Sequence, residues 1–424
     1  MLKLIIINFI IQIIKTEIKL SFKRYYNKKE IYFNTLIRND IITSIYIGTP
    51  PQKLEISIRM FDYSTFVLNT STITKNKYLP KFSEKNSSSF QKLMNNSIIY
   101  GGEAFDIAYL GKDIFTFNNN KTLIKFMIVS KITNDTIYFD YTNKLSPSHS
   151  GVLGLNLLYE LESLVYSNIL TQLFQNHIIK YCSFTFNFNN NDEGELILGK
   201  SYYYDDNIYL FRKNEMFLSK DPKIWGINFD NVTFDNEIIE KCPFKAQFKI
   251  EMGVILINNI MKESFKKKFF QQYFDNGLCN ENVTDDRFTT FFMCDDSIDI
   301  KKFPDIKFYM KDINFELILN YKDLFIKKDG KIYFLIIFQK NAKTWELGLP
   351  IFKKYSIIFD MDNKVIIFVK NKNKELLSFL ILFLIILIVV LIIIIKIFRN
   401  KKKRIKAIEL DNEVYQKNLN TKLI

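Results

Sequence analysis

The stretch SIYIGTPPQKLEISIRMFDYSTFV, residues 44–67, carries the most informative pattern in the chain. Apolar and polar residues alternate on either side of Gly48–Gln52, and a period of two is typical of a half-buried β-strand. The glycine and the two consecutive prolines between these runs are turn residues. We therefore expect a strand before this turn and another after it.

Strand patterns continue from Ile41 onward. The strands are short, as in Glu55–Ile58 and Phe66–Leu68, and helical periodicity is sparse, with the best candidates at Leu157–Phe174 and Ile260–Phe274. The chain has 424 residues, of which 48% are hydrophobic, and it is long enough for two lobes with a large core. These observations predict an all-β protein with long-range strand pairing.

The two ends of the chain predict a membrane-anchored secretory protein. Lys3 and the apolar run Leu4–Ile14 predict a signal peptide over residues 1–18. Residues 376–395 are apolar except for Ser378, and a helix of this length covers the ~30 Å hydrocarbon core of a bilayer. The tail at 396–424 is strongly basic, which predicts a single-pass type I topology with the ectodomain lumenal or extracellular, in the secretory pathway or at the cell surface.

The positive charge of the chain has a membrane explanation. The tail holds nine Lys/Arg and three Asp/Glu residues and so supplies +6 of the net charge of +14. No nucleic-acid motif accompanies that charge. No spacing of the four cysteines and two histidines suits a metal site, and we expect His149 and His177 to be surface residues. The sequence thus predicts a membrane partner, no nucleic acid, no metal and no cofactor.

An ordered series of motifs over about residues 44–370 resembles the pepsin family of aspartic proteases. The motifs are IGTPPQ (47–52), SIIYGG (97–102), SGVLGL (150–155), FTF (184–186), GELILG (194–199), WGI (225–227), FPDIKF (303–308), WELG (345–348) and YSIIFD (355–360). The resemblance implies the bilobal pepsin-like acid protease fold, and the C-terminal span adds the layout of the β-secretase-type members. It also implies that the glycines of SGVLGL allow a close backbone crossing behind the catalytic loop.

This resemblance divides the chain into segments. They are the signal peptide (1–18), a spacer (19–39), an N-terminal lobe (40–195), a C-terminal lobe (196–370), the transmembrane helix (376–395) and the basic cytoplasmic tail (396–424). The spacer is shorter than the inhibitory propeptide of the family's zymogens.

The family's chemistry requires two facing aspartates that share a proton and hold a water, so that an acid and a base are present together. An ungapped register from IGTPPQ places Arg59 on the first aspartate and Phe61 on its glycine. In the second lobe Gly253 matches the motif glycine, which places Glu251 on the second aspartate. Arginine cannot exchange a proton near neutral pH. We therefore expect an inactive aspartic-type endopeptidase homologue, with Arg59 close to Glu251 and the pKa of Glu251 lowered by that charge.

Two alternatives remain open in this region. The run Phe61–Thr65 (FDYST) superficially resembles FDTGSS, which would make Asp62 a catalytic residue acting with Glu251. Under the ungapped register, an ion pair of Arg59 with Asp62 or with Glu251 replaces the aspartate pair, because buried charges must be paired.

The SIIYGG motif also has two interpretations. Tyr100, Gly101 and Gly102 either form the flap over a peptide-binding cleft, or belong to an ordinary β-hairpin in a chain with 23 tyrosines.

The resemblance implies a Cys279–Cys294 disulfide in the second lobe, consistent with an oxidising lumen. Cys182 and Cys242 are either a long-range pair or two free thiols. Seven Asn-X-Ser/Thr sequons fit a lumenal glycoprotein. They lie at Asn69, Asn86, Asn95, Asn120, Asn134, Asn231 and Asn282.

Three functions are compatible with these observations. The first is a catalytically inactive, membrane-anchored pepsin-like protein that binds peptides or proteins in its cleft. The second is an active aspartic endopeptidase that uses Asp62 and Glu251. The third is a structural surface protein that retains the fold for stability.

Overall fold

The computed structural model describes residues 17–25, 37, 40–62, 64–74, 78–94, 107–117, 120–131, 149–157, 168–189, 192–200, 208–213, 224–283, 289–311, 314–340, 342–369, 383–384, 387–388, 390–397 and 399. Side chains are described throughout these ranges except at 208–213 and 240–243.

Strands dominate the described residues, which confirms the predicted mainly β class. In chain order they are β1 (Ile18–Arg24), β2 (Ile41–Ile47), β3 (Gln52–Arg59), β4 (Phe66–Leu68), β5 (Gln91–Lys92), β6 (Ile107–Phe117), β7 (Asn120–Lys131), β8 (Gly151–Gly154), β9 (Ser183–Phe188), β10 (Glu193–Leu198), β11 (Ile208–Lys213), β12 (Gly226–Phe234), β13 (Glu237–Phe248), β14 (Ile255–Asn258), β15 (Cys279–Val283), β16 (Thr289–Asp295), β17 (Ile306–Met310), β18 (Phe315–Leu319), β19 (Phe325–Lys328), β20 (Lys331–Phe334), β21 (Ile336–Gln339), β22 (Trp345–Leu347), β23 (Ser356–Asp360) and β24 (Val365–Val369).

The helices are short. They are α1 (Ile169–Gln175), α2 (Lys262–Phe265), α3 (Gln271–Asp275), α4 (Tyr321–Leu324) and α5 (Leu349–Lys354), with 3₁₀ turns at Glu84–Asn86, Asn259–Met261 and Ile300–Lys302 and a π turn at Lys266–Phe270. The second predicted helix, 260–274, corresponds to the run from the Asn259–Met261 turn to α3. Within the first predicted helix, α1 begins at Ile169 because the side chain of Asn168 accepts a hydrogen bond from the backbone N–H of Leu170.

Two sheets organise residues 1–370, which form one compact unit. The first has 13 strands in the order β11-β24-β23-β9-β10-β1-β2-β3-β8-β4-β7-β6-β5. The second has 11 strands in the order β18-β17-β12-β13-β22-β14-β21-β16-β20-β19, with β15 paired to β16. The last two strands of this unit, β23 and β24, thus return to the first sheet, where β23 pairs with β9.

The predicted spacer, residues 19–39, is wrong for residues 19–24, because these residues belong to β1, which lies inside the first sheet. Ile18, Leu20 and Phe22 point into the core, while Lys19 and Lys23 point outward, so the alternation of this stretch is that of a half-buried strand. Ile18 pairs with Leu198 of β10. A cleaved signal peptide would therefore have to end before Ile18.

The two halves of this unit share one aromatic core. The ring of Phe184 on β9 stacks on Phe359 of β23 at 4.9 Å between centroids. Trp225, which precedes β12, packs against both rings, and its indole N–H donates to the carbonyl of Leu155 at 2.9 Å. The predicted boundary between the N-terminal and C-terminal lobes, at residues 195/196, falls within β10.

Residues 371–424 form a second unit. The described residues at 390–397 are helical and their apolar side chains are exposed. Among the residues that the structure describes, no helix is both long enough and apolar enough to cross a membrane. Residues 376–382 and 401–424, like residues 1–16 of the predicted signal peptide, lie outside the described residues.

Candidate active site

Two loops with the same strand environment lie where the sequence predicts the catalytic loops. The first loop joins β3 to β4; β3 runs parallel to β8, and β4 runs antiparallel to it. The second loop joins β13 to β14; β13 runs parallel to β22, and β14 runs antiparallel to it. The two lobes therefore build this region in the same way.

A glycine allows each loop to approach the central strand. A Cβ atom on Gly154 would lie 2.6 Å from the carbonyl oxygen of Asp62 and 2.5 Å from that of Ser64. A Cβ atom on Gly348 would lie 2.4 Å from the carbonyl oxygen of Met252 and 2.1 Å from that of Val254. Any larger residue would displace the loop, which confirms the close crossing predicted for the SGVLGL segment.

These contacts establish which residues of the two loops correspond. Relative to the two glycines, Asp62 occupies the place of Met252, so Phe61 occupies the place of Glu251. The strand register agrees. Arg59 lies opposite Gly154, while Phe248 lies opposite Leu347, the residue before Gly348.

By the same strand register, Lys249 of the second lobe occupies the backbone position that Arg59 occupies in the first. Arg59 and Glu251, which the ungapped sequence register pairs, therefore do not occupy corresponding backbone positions. Arg59 is the last residue of β3 and Lys249 directly follows β13. Two residues further along, the first loop carries Phe61 and the second carries Glu251.

Glu251 links the second loop to the first. One carboxylate oxygen accepts a hydrogen bond from the backbone N–H of Phe61 at 3.0 Å, and the other accepts from the N–H of Met60 at 3.3 Å. Both donors belong to the first loop. The carboxylate thus holds the two loops together through backbone groups.

Burial raises the pKa of the Glu251 carboxyl above its usual value. A backbone hydrogen bond and the charges of Lys249 and Arg59 act in the opposite direction, while the negative charge of Asp62 raises the pKa further. The expected lowering by Arg59 is therefore wrong in its net direction, because desolvation of the carboxylate outweighs the attraction of the two cations.

Arg59 forms its ion pairs with two other carboxylates. Its guanidinium lies 3.8 Å from a carboxylate oxygen of Asp62 and 3.9 Å from one of Asp40. The Arg59–Asp62 pair was one of the two alternatives left open by the sequence. Asp40 was missed, because nothing in its local sequence indicates that it meets the first loop.

The corresponding cation of the second lobe is also paired. The ammonium of Lys249 lies 2.6 Å from a carboxylate oxygen of Glu346, which also accepts from the side-chain amide of Gln247 at 2.7 Å. Lys249 lies 5.2 Å from the ring centroid of Phe61, whose side chain is 53% exposed. Lys249 directly follows β13 and Glu346 is the central residue of β22, so this pair joins segments 97 residues apart and has no local sequence signal.

A buried histidine lies near Arg59. His149 is 1% exposed, so the prediction that it is a surface residue is wrong; His177 is exposed, as expected. Burial lowers the pKa of His149 well below its usual value, and the charge of Arg59 lowers it further. Both effects favour the neutral imidazole.

The predicted disulfide is present. Cys279 and Cys294 face each other on β15 and β16, with their Cα atoms 4.0 Å apart. Cys182 is a buried free thiol, which excludes the long-range pair, and burial followed by the charge of Asp362 raises its pKa to about 12. The side chain of Cys242 is not among those described.

The predicted flap, Tyr100, Gly101 and Gly102, lies outside the described residues. Among the side chains that the structure does describe, no group of three or more His, Cys, Asp or Glu residues could hold a metal ion.

The family model described as eukaryotic aspartyl protease matches residues 41–371, which include both loops and nearly all of the two sheets. No curated protein matches the chain.

Proposed function

Because the chain belongs to the eukaryotic aspartyl protease family, the pepsin family, we propose that it is a membrane-anchored member that binds peptides in its cleft without cleaving them. Catalysis in this family requires two carboxylates that share a proton across the cleft. The position in the first loop that corresponds to Glu251 is a phenylalanine, so a facing carboxylate is missing from that position. This single observation carries the proposal.

The hydrogen bonds of Glu251 support the same conclusion. Its two oxygens accept from Phe61 and Met60, so the carboxylate that would act on a substrate is already engaged by the first loop. Arg59 is permanently charged and balanced by Asp40 and Asp62. The charges at the centre of the cleft thus serve to hold the loops rather than to move protons.

Peptide cleavage and peptide binding can be measured on the same preparation. Full-length protein in detergent micelles is incubated with a tryptic digest of an unrelated denatured protein, from pH 3 to pH 7. We expect the peptides to remain uncleaved and a subset of them to be retained on the immobilised protein. Cleavage at acid pH would refute the loss of activity, and retention no greater than on heat-denatured protein would refute peptide binding.

One observation favours a second candidate, an active endopeptidase that uses Asp62 and Glu251. The negative charge of Asp62 contributes to the raised pKa of Glu251, so the two carboxyls are close enough to interact. In this case the cleavage above would be abolished by Asp62→Asn and by Glu251→Gln. The matched control is Glu316→Gln on β18, whose side chain is exposed.

We further propose a type I topology, with the span at 376–395, the basic tail in the cytoplasm and the glycosylated ectodomain in the secretory pathway or at the cell surface. The apolar run and the nine cations that follow it support this orientation. In unpermeabilised cells, external protease should digest the ectodomain and spare an epitope on the tail. Digestion of the tail epitope alone would reverse the orientation.

A further inference from the structure

The second sheet ends at β18, which pairs with β17 and with no other described strand. In an antiparallel pair, every second residue directs its N–H and C=O toward the partner strand, and the residues between direct theirs away. Ile318 bonds with both of its backbone groups to a side chain outside the sheet, so it is a residue of the second kind. Glu316, two positions earlier, is of the same kind. The outer edge of β18 therefore consists of the backbone groups of Glu316 and Ile318.

The hydroxyl of Tyr355, which lies between α5 and β23, contacts this edge. It accepts a hydrogen bond from the N–H of Ile318 at 2.7 Å and donates to the carbonyl of the same residue at 3.0 Å. Burial raises the pKa of this hydroxyl, which keeps its proton at neutral pH. The ring packs against Phe315, with 6.4 Å between the two ring centroids. One side chain thus makes both of the bonds that a residue of an added strand would make to Ile318.

A second copy of β18 fits this edge by symmetry. If two β18 strands pair antiparallel about Leu317, Ile318 of each copy lies opposite Glu316 of the other. Because both residues direct their backbone groups outward, each of the two opposed pairs exchanges two hydrogen bonds. Every one of these bonds involves Ile318 of one copy, and in each copy the hydroxyl of Tyr355 is bonded to that residue. The same hydroxyl therefore blocks the whole pairing.

The side chains of β18 oppose such a pair at one position. Leu317 and Leu319 point into the core, whereas Glu316 is exposed. In the symmetric pair the two Glu316 side chains become diagonal neighbours on the exposed face, roughly 7–8 Å apart, where like charges repel. A charged residue is a common protection of an edge strand against pairing with another chain. Glu316 therefore adds a weaker, electrostatic barrier to the one that Tyr355 makes.

We propose that the outer edge of β18 is a pairing surface for β18 of a second copy of this chain, and that Tyr355 keeps this surface closed. The inference is independent of the proposed function, since it concerns only the contacts of β18. An exposed strand edge is a template for pairing with another chain, and natural proteins block such edges. Here the hydrogen-bonding groups of the edge are blocked by a single side chain. An added strand must displace the ring as well, so Tyr355→Ala opens the edge, whereas Tyr355→Phe removes only the two hydrogen bonds.

The protein mass of the full-length chain in detergent micelles tests the proposal, measured by light scattering with the detergent contribution subtracted. Tyr355→Ala should have twice the protein mass of the wild type at the same concentration. Tyr309→Ala on β17 is the matched control and should keep the wild-type mass, because the hydroxyl of Tyr309 bonds to the side chain of Asn314 at 3.4 Å and not to the edge. Adding Glu316→Gln to Tyr355→Ala should tighten the dimer by about two- to fivefold, since it removes the like-charge contact.

A proline distinguishes strand pairing from the aggregation of a weakened fold. Ile318→Pro removes the N–H that points outward, and proline is tolerated on an edge strand where its N–H would face away from the ladder. The double variant Tyr355→Ala/Ile318→Pro should therefore return to the wild-type mass. Association that persists in this double variant, or a wild-type mass for Tyr355→Ala, would overturn the inference.

Hydrogen exchange of Tyr355→Phe decides the question if Tyr355→Ala does not fold. Phenylalanine keeps the ring beside Phe315 and removes the hydroxyl. The Ile318 amide should then exchange at least about fivefold faster than in the wild type, because it loses its hydrogen-bond acceptor. Tyr309→Phe should leave this rate unchanged. Equal exchange of the Ile318 amide in Tyr355→Phe and in the wild type would show that the hydroxyl does not close the edge, and would overturn the inference.

Discussion

Replacing Glu251 by glutamine should make the protein more stable at neutral pH and flatten part of its pH dependence. Glutamine has the shape of the protonated glutamic acid and keeps one oxygen to accept from Phe61 or Met60. It never carries the charge that burial opposes. The substituted side chain is thus uncharged at every pH, like the protonated wild type, but its amide nitrogen donates and cannot accept the second N–H.

The sign follows from the direction of the shift. The pKa of Glu251 is raised in the folded protein above 4.5, its value in the unfolded chain. The stabilising contribution of the bound proton is thus fully present below pH 4.5 and is lost as the pH rises through the folded-state pKa. The free energy of unfolding of Glu251→Gln relative to the wild type should be lowest at pH 4, where the wild type is protonated and keeps both acceptor oxygens. Above pH 4 the wild type should lose stability relative to the variant, by at most about 1.4 kcal/mol for each pH unit, since one proton is involved.

Urea denaturation between pH 4 and pH 7.5 measures this difference. The two tryptophans of the chain, Trp225 and Trp345, are 1% and 3% exposed, so their fluorescence reports the unfolding of the core. Glu316→Gln, at an exposed position, should keep the slope of the wild type. A wild type that gains stability over Glu251→Gln as the pH rises would refute the reasoning, because hydrogen bonds to the charged form would then outweigh burial.

Four further predictions concern particular contacts. Gly348→Ala should destabilise the fold by about 3 kcal/mol, because its Cβ would lie 2.1 Å from the carbonyl oxygen of Val254. Gly277→Asn is the control, since Gly277 lies in open space at φ +68°. Equal melting temperatures for Gly348→Ala and the wild type would contradict the loop packing. Replacing both Cys279 and Cys294 by serine should lower the free energy of unfolding by roughly 3 kcal/mol, because it opens a loop of sequence separation 15. Cys182 should react with iodoacetamide only after unfolding, and rapid labelling of the native protein at Cys182 would contradict its burial. In glycopeptide mapping, Asn69 should stay unmodified because its amide donates to Glu84 and Tyr109, while the exposed Asn86 should carry a glycan; a glycan on Asn69 would refute this assignment.

The local sequence predicted much of the fold because its signals are short in range. Alternation predicted β2 and β3. The family resemblance predicted the close approach of the SGVLGL glycines behind the first loop and the Cys279–Cys294 pair. The same alternation is present in Ile18–Arg24. The charged and aromatic composition of residues 19–39 predicts a spacer, whereas the alternation within Ile18–Arg24 is that of a strand.

The candidate site was predicted less well, since its contacts join residues far apart in the chain. The ungapped register pairs Arg59 with Glu251, whereas the strand register relates Arg59 to Lys249. The partners of Arg59 and Glu251, Asp40 for one and the N–H groups of Met60 and Phe61 for the other, depend on how the lobes pack. His149 was placed at the surface because a lone histidine gives no sign of its burial.

The sequence by itself determined the β class and the family, because both depend on residue types at fixed spacing. The tertiary structure decided which residues of the two loops correspond, since that follows from the contacts of Gly154 and Gly348 with backbone carbonyls of other segments. It also decided the direction of the Glu251 pKa. A sequence shows which charges are present, whereas the cost of removing a carboxylate from water depends on what surrounds it after folding, and here that cost exceeds the attraction of the nearby cations.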